Sequence, residues 1–237
     1  MLGISKHFFH TQIYCTQILN VYCSNMWTYL GQNFLIDAKV RSYIADKISA
    51  LYQKLWCEAL IEIGPGKGSL TTLISTISEN FFVVEKDVTL IPNLKFKIQN
   101  LKLIEGDILE VNVEKLLKEK KLSPKKTLVV GNLPYYITSP ILRKFFGEWK
   151  QDFAWGIFMV QDEVGQKLRS DAKKKSYLRR LLNFAYTVTY MKWVPAKCFK
   201  PAPKVKSALI EFRVQSSPPS RTRECRIERD KFIEFLE

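Results

Sequence analysis

The residues with the most chemical content lie together at Gly131-Asn132-Leu133-Pro134-Tyr135-Tyr136. They follow the apolar run Thr127-Leu128-Val129-Val130, which reads as a buried strand. Open α/β sheets bind ligands at the carboxyl ends of such strands. Asn132 Oδ1 and a backbone carbonyl can accept two hydrogen bonds from an exocyclic amino group. Pro134 stiffens the turn, and Tyr135 offers a ring on which a flat base can stack. Asn-x-Pro is also an ordinary turn former, so the motif takes its meaning from what surrounds it.

Three acidic residues supply those surroundings. Glu62 precedes the glycine-rich turn Gly64-Pro65-Gly66-Lys67-Gly68, which follows a short strand over 59–63. Such a turn brings backbone close to a ligand. The spacing differs from the G-x-G-x-x-G of dinucleotide sites, and no G-x-x-x-x-G-K-[ST] loop occurs. Glu62 suits a cationic ligand rather than a pyrophosphate. Glu85 ends a second strand, 81–84, where a carboxylate can accept both ribose hydroxyls of a nucleoside. Asp107 follows a third strand, 101–104, and can accept from an adenine amino group. Any one of these acids alone reads as a solvated loop residue. Three in succession at strand ends describe a pocket for an adenosine that carries positive charge and no phosphate. S-adenosylmethionine is such a ligand.

The elements that must position these groups alternate. Helices are predicted over 40–55, 69–78, 88–99, 114–121 and 140–146, with further strands over 128–130 and 154–160. That alternation predicts an α/β fold with a doubly wound parallel sheet. After Arg180 the pattern changes to two strands, 184–190 and 207–214, predicting a hairpin-like pair that closes one edge. The 237 residues suffice for one such domain, and 46% hydrophobic residues support a packed core. A formal net charge of +14 points to a polyanionic partner. No apolar run reaches the roughly 18 residues of a bilayer span, so no membrane role is expected. Five scattered cysteines without a CxxC pair, and His7 and His10 without partners, predict neither a disulfide framework nor a metal site. Reduced thiols point to a cytoplasmic location.

Several motifs recur in one order: Gly31-Gln32-Asn33-Phe34-Leu35, Glu62-Ile63-Gly64-Pro65-Gly66-Lys67-Gly68, Val84-Glu85, Gly106-Asp107 and Asn132-Leu133-Pro134-Tyr135. Met159-Val160-Gln161-Asp162-Glu163-Val164 and the F-x-P-x-P-x-V-x-S run from Phe199 to Ser207 complete the set. Over about residues 27–215 the chain resembles the ribosomal RNA adenine dimethyltransferases, above all the branch that acts on the small subunit. The resemblance implies a Rossmann-like class I methyltransferase with a seven-stranded, mostly parallel sheet, an antiparallel edge strand and S-adenosylmethionine as donor. It implies that Asn33 and Leu35 touch the methionine end, Gly64 the cofactor backbone, Glu85 the ribose and Asp107 the adenine. Gln32, Glu62 and Gly66 are further candidates for that pocket. Asn132 would bridge cofactor and target, with Leu133 and Pro134 beside it and Tyr135 and Phe199 as stacking faces. Phe199 also reads as a core plug before a proline. The implied substrate is a pair of adjacent adenosines near the 3′ end of small-subunit ribosomal RNA, within an immature 30S-type particle, and the implied form is a monomer.

Lys173, Lys174, Lys175, Arg179 and Arg180 form one basic cluster, and Lys200 and Lys204 flank the late motif with Lys197 and Lys206. Both are expected to rim the substrate side and contact phosphates. A lysine-rich stretch over 115–126 reads instead as a solvated face. The expected organisation is an N-terminal extension over 1–26, a catalytic domain over 27–215, and a linker leading into a truncated helical domain over 216–237. Two other functions fit the same motifs: a macrolide-resistance type of large-subunit RNA methyltransferase, and a ribosome-assembly or transcription factor without turnover. Leu133 and the Tyr-Tyr-Ile-Thr-Ser-Pro continuation favour the small-subunit enzyme.

Overall fold

The computed structural model describes residues 32–99, 101–147, 153–173 and 176–215. The expected N-terminal extension, the linker, the helix after it, Gly31, Lys174 and Lys175 lie outside the described residues. Seven strands form one sheet: β2 (Ala59–Ile63), β3 (Phe81–Glu85), β4 (Lys102–Glu105), β5 (Thr127–Asn132), β6 (Trp155–Gln161), β7 (Tyr186–Val194) and β9 (Ser207–Val214). Their order is β4-β3-β2-β5-β6-β9-β7. Pairing is parallel from β4 through β6, and β9 then runs antiparallel to both β6 and β7. The expected hairpin-like pair is therefore present at that end of the sheet. β9 is the strand inserted second from the edge.

Continuous apolar runs in β2, β3 and β5 bury every residue but the last of β5, as strands covered on both faces require. Helix α1 (Ala38–Lys54) covers one face through Val40, Ile44 and Ile48, with Asp37 accepting from the Val40 amide as its N-cap. On the other face lies α5 (Thr138–Phe146). Its Phe146 stacks on Phe212 at 4.7 Å between ring centroids and meets Tyr186 edge-on at 5.1 Å. Shorter helices fill the crossovers: α2 (Thr71–Ile74), α3 (Ile91–Lys97) and α4 (Val113–Glu119). The expected helix over 69–78 shrinks to the four residues of α2. Ser75, Thr76 and Ser78 carry side chains that compete for the backbone and disfavour helix.

Two helices escaped the sequence reading. α6 (Asp162–Leu168) follows β6 directly, and α7 (Tyr177–Asn183) precedes β7. Each spans only seven residues, and the first carries Gly165, a poor helix former, at its centre. The 12 residues between β7 and β9 contain β8 (Phe199–Lys200), which pairs with β1 (Phe34–Leu35). That small antiparallel ladder swings the Gln32–Leu35 segment across the carboxyl ends of the main strands. Among the described residues no helix is long and apolar enough to cross a membrane.

Candidate active site

The carboxyl ends of β2, β3, β4 and β5 lie side by side and open into one cleft. Its inner part is lined by Gln32–Leu35, Glu62, Gly64–Gly66, Glu85 and Asn132–Tyr135. A second hollow continues from Gly64 and Glu85 to Asp107, Ile108 and Tyr136. A third opens outward from Asn33 and Tyr135 to Gln161 and Pro201–Val205. The shared walls make these three parts of one site.

The glycine turn is held open by backbone geometry. Gly64 and Gly66 sit at φ +63° and +58°, the left-handed region that glycine enters without strain. A Cβ on Gly66 would stand 2.8 Å from the Phe34 ring, whereas one on Gly64 would meet nothing within 4 Å and project into open space. The turn's amides are spent on the protein: Gly64 N–H donates to the Val84 carbonyl and Gly66 N–H to Glu85 Oε2 at 3.0 Å. With so short an α2 behind it, the turn is not an anion cradle. Its neighbours are carboxylates.

Glu85 is 5% exposed, and its Oε1 also accepts from the Asp87 amide at 2.8 Å. Burial raises its pKa, against the opposing pull of those two amides. Each oxygen is fixed by one donor and keeps a lone-pair direction for another. Glu62 is 2% exposed, and its Oε2 has no hydrogen-bond partner. Burial pushes its pKa up to about 8, with the nearby Thr71 hydroxyl opposing and the Glu85 charge adding. A buried acceptor left without a donor costs free energy until something supplies one. An ammonium or other cation entering the cleft would do so, which fits S-adenosylmethionine and does not fit a nucleotide phosphate. Asp107 differs: Lys86 Nζ pairs with it at 2.8 Å and the Leu109 amide donates to Oδ1 at 2.9 Å, and both hold its carboxyl below the usual range.

Asn132 ends β5 with its amide oriented. Nδ2 donates to the Asn33 carbonyl at 2.9 Å, while Oδ1 accepts nothing from the described residues. Leu133 is buried, and its N–H continues the sheet to the Met159 carbonyl at 3.1 Å. The Tyr135 hydroxyl shares a 2.6 Å hydrogen bond with Ser207 Oγ, which pins the ring against the cleft. Burial raises its pKa.

A sequence profile described as "Ribosomal RNA adenine dimethylase" matches residues 24–226. The chain belongs to the ribosomal RNA adenine dimethylase family. Curated relatives called "Ribosomal RNA small subunit methyltransferase A" agree: 36% identity over 197 residues in Chlorobium phaeobacteroides, covering 82% of this chain and 70% of that one. In Alkaliphilus oremlandii the figures are 34% over 194 residues, covering 80% and 66%. The chain thus spans about two thirds of the length of these relatives. Among solved structures, the fold matches "23S rRNA methyltransferase ErmE" with TM-score 0.64 at 24% identity, covering 80% and 73%. A Plasmodium falciparum dimethyladenosine transferase matches with TM-score 0.61 at 23% identity, covering 78% and 64%. The fold is that of class I S-adenosylmethionine-dependent methyltransferases.

Within this family member, the expected cleft residues Gln32, Asn33, Leu35, Glu62, Gly64, Gly66, Glu85, Asn132, Leu133, Pro134 and Tyr135 stand together, with Asp107 in the adjoining hollow. Three expectations are corrected. Phe199 is 3% exposed and packs among Leu35, Ile44 and Val194, because its place on the β1–β8 ladder turns the ring into the core and off the cleft wall. Arg179 is 8% exposed, and its guanidinium donates to the Arg169 and Ser170 carbonyls at 2.9 and 2.6 Å, so it is consumed by structure. Lys173 and Arg180 do not rim the cleft. Their segment is anchored by Ser170 to Val188 near the amino end of β7, some 15–20 Å down the strand from Val194. Lys200 and Lys204 are both exposed; Lys204 lines the third hollow, whereas Lys200 pairs with Phe34 and lies close enough to Lys67 of the glycine turn to lower its pKa.

The structure adds residues that the sequence hid. Lys144 on α5 donates to the Ile108, Leu109 and Val111 carbonyls at 2.7, 2.9 and 2.7 Å, tying down the loop after Asp107. Asp87 accepts from Gln32 Nε2 at 3.2 Å, and Ser69 Oγ donates to the Leu35 carbonyl at 3.0 Å. Nothing in the local sequence of a lone lysine or serine announces such a role.

Proposed function

We propose that this protein methylates N6 of two adjacent adenosines near the 3′ end of small-subunit ribosomal RNA, giving N6,N6-dimethyladenosine, with S-adenosylmethionine as donor. The observation that carries the reading is Asn132: one amide atom is anchored to the Asn33 carbonyl, and the other is left as an acceptor between the carboxylate-lined pocket and the outer hollow. Glu62 would face the cofactor's ammonium group, Glu85 its ribose hydroxyls, and Asp107 its adenine once Lys86 shares that carboxylate. The bound cofactor supplies a methyl group on a cationic sulfur.

An adenine amino nitrogen is a poor nucleophile, because its lone pair is delocalised into the ring. Hydrogen bonds from N6 to Asn132 Oδ1 and the Leu133 carbonyl favour a pyramidal nitrogen whose lone pair is available. They also hold it in line for transfer. Tyr135, pinned by Ser207, offers a face that offsets part of the few kcal/mol needed to unstack the base. The methylated nitrogen is acidic, so its proton passes to water and no strong base is required. The small-subunit relatives, at 34–36% identity, favour this RNA over that of the large subunit.

The test is to supply labelled S-adenosylmethionine with undermethylated small subunits and to map the label. Dimethylation at two neighbouring adenines is expected. Label confined to large-subunit RNA, or none at all, overturns the proposal.

A further inference from the structure

We infer that Trp193 and Lys206 form a subsite on which an unpaired base of the RNA strand stacks, close to the target adenosine; this rests on the RNA-methylating reading above. The sheet register places the pair. Asn132, Met159, Leu209 and Lys192 lie in one row across β5, β6, β9 and β7. Three strand spacings separate the ends of that row, about 15 Å. Trp193 is the next residue toward the carboxyl edge, opposite Ala208. It therefore stands on the rim that carries Asn132, at the distance a flanking nucleotide reaches.

Its surroundings suit a polyanion with flat bases. Trp193 is 55% exposed on the edge strand, among the more exposed large apolar side chains described. Lys206 Nζ sits 5.5 Å from the indole centroid. The next residue, Ser207, holds the Tyr135 hydroxyl, so the two aromatic faces share one short rigid segment. Lys197 and Lys204 are exposed on the connection that ends at Lys206, while Lys192 turns to the other face of the strand, over Tyr43. The nearby carboxylates already have partners: Asp162 accepts from the Tyr190 hydroxyl, and Glu163 pairs with Lys167 at 2.7 Å. Positive charge therefore prevails at a half-exposed indole whose face carries, among the described residues, only the mobile end of Lys206. A π face flanked by cations binds single-stranded RNA with little regard for sequence. In that site Lys206 turns to a phosphate as the base takes its place on the ring.

The test uses the full chain and a twelve-nucleotide single-stranded RNA holding two adjacent adenosines, with copies in which one base at a time is removed to leave the ribose. Trp193→Ala should weaken binding of the intact strand about 5- to 150-fold. Trp193→Phe, which keeps a ring, should stay within a few-fold of the parent. Affinity for S-adenosylmethionine should not change in either variant. In the parent, one abasic position away from the target should cost affinity, and Trp193→Ala should be insensitive to that same position. RNA should quench tryptophan emission in the parent, and Trp193→Phe should lack that component; this readout stands if the alanine variant misfolds. Parent-like binding by Trp193→Ala, or quenching unaltered in Trp193→Phe, overturns the subsite. A parent that methylates small-subunit RNA while Trp193→Ala binds normally sinks the subsite alone. A parent without methyl transfer sinks the function and leaves the stacking result to stand or fall by itself.

Discussion

At the glycine-turn end of the cleft, Glu62 and Glu85 are buried, and Glu85 is fixed by two backbone amides. At the other end, Lys204 and Lys206 stand in solvent on the connection between β8 and β9. Both ends recognise charge by different physics. Buried carboxylates act through a low local dielectric and fixed geometry, so their effect resists salt. Exposed lysines act through long-range attraction and counterion release, so theirs falls steeply as salt rises. Asn132 stands between them, with an amide oriented by the protein and an acceptor turned outward. A small cofactor is thus held by a prebuilt socket, and a large polyanion is gathered by a field.

Asn132→Ala strikes the junction and should have the largest effect. Methyl transfer should fall about 10²- to 10³-fold, the range for losing one preorganised polar group in an active site. Cofactor affinity, read by calorimetry, should change only a few-fold; parent-like transfer would remove Asn132 from the chemistry. Reversing Lys200 and Lys204 together to Glu should weaken RNA binding at low salt by an order of magnitude or more. It should flatten the salt slope by roughly 0.7 per lost phosphate contact. An unchanged slope would show that the mouth is not the RNA path.

Glu85→Gln tests the socket. Loss of a charged acceptor should cost cofactor affinity about 10- to 100-fold, and the loss should be the same at 50 mM and 500 mM salt. A salt-dependent loss would erase the contrast between the two ends. Lys144→Met frees the loop after Asp107 and should cost about 5- to 10-fold in cofactor affinity, with kcat at saturating cofactor preserved. Lys144→Arg should recover part of it.

The smallest effect is a pH signature of Glu62. With its pKa raised to about 8, the carboxyl is protonated in the free protein at pH 7 and must ionise beside a cationic ligand. Cofactor binding should therefore release a proton, seen as a buffer-dependent calorimetric enthalpy, and affinity should climb as pH rises toward 8. The raised pKa also means that this group's contribution to stability is complete below the ordinary carboxyl value of 4.5 and is lost as pH rises through about 8. Glu62→Gln removes that dependence, so the melting temperature of the parent should drop relative to the variant between pH 5 and 8.5. Parallel curves would refute it.

Much of this was legible because the signals are local. Apolar runs that carry Glu62 one residue from the end, or end in Glu85 and Asn132, mark strands and the end at which ligands bind. The alternation of such runs with helices implies parallel order, since parallel strands need crossovers. Phe199, Arg179 and Lys173 were misplaced because type and spacing cannot show which way a side chain faces. Phe199 turns inward only because β8 pairs with β1, across more than 160 residues of chain. Arg179 looks like any surface cation until two carbonyls of the preceding loop close on it.

By itself the sequence determined the strand ends, the residue types at them and hence the kind of ligand that would be welcome, because those depend on short-range pattern. The tertiary structure alone decided which acceptor was left unpaired at Glu62, which face of Asn132 was free, and that Lys144 braces the adenine side. It also set Trp193 on the same rim as Asn132. Those facts depend on register and burial, which arise only when distant segments share one sheet.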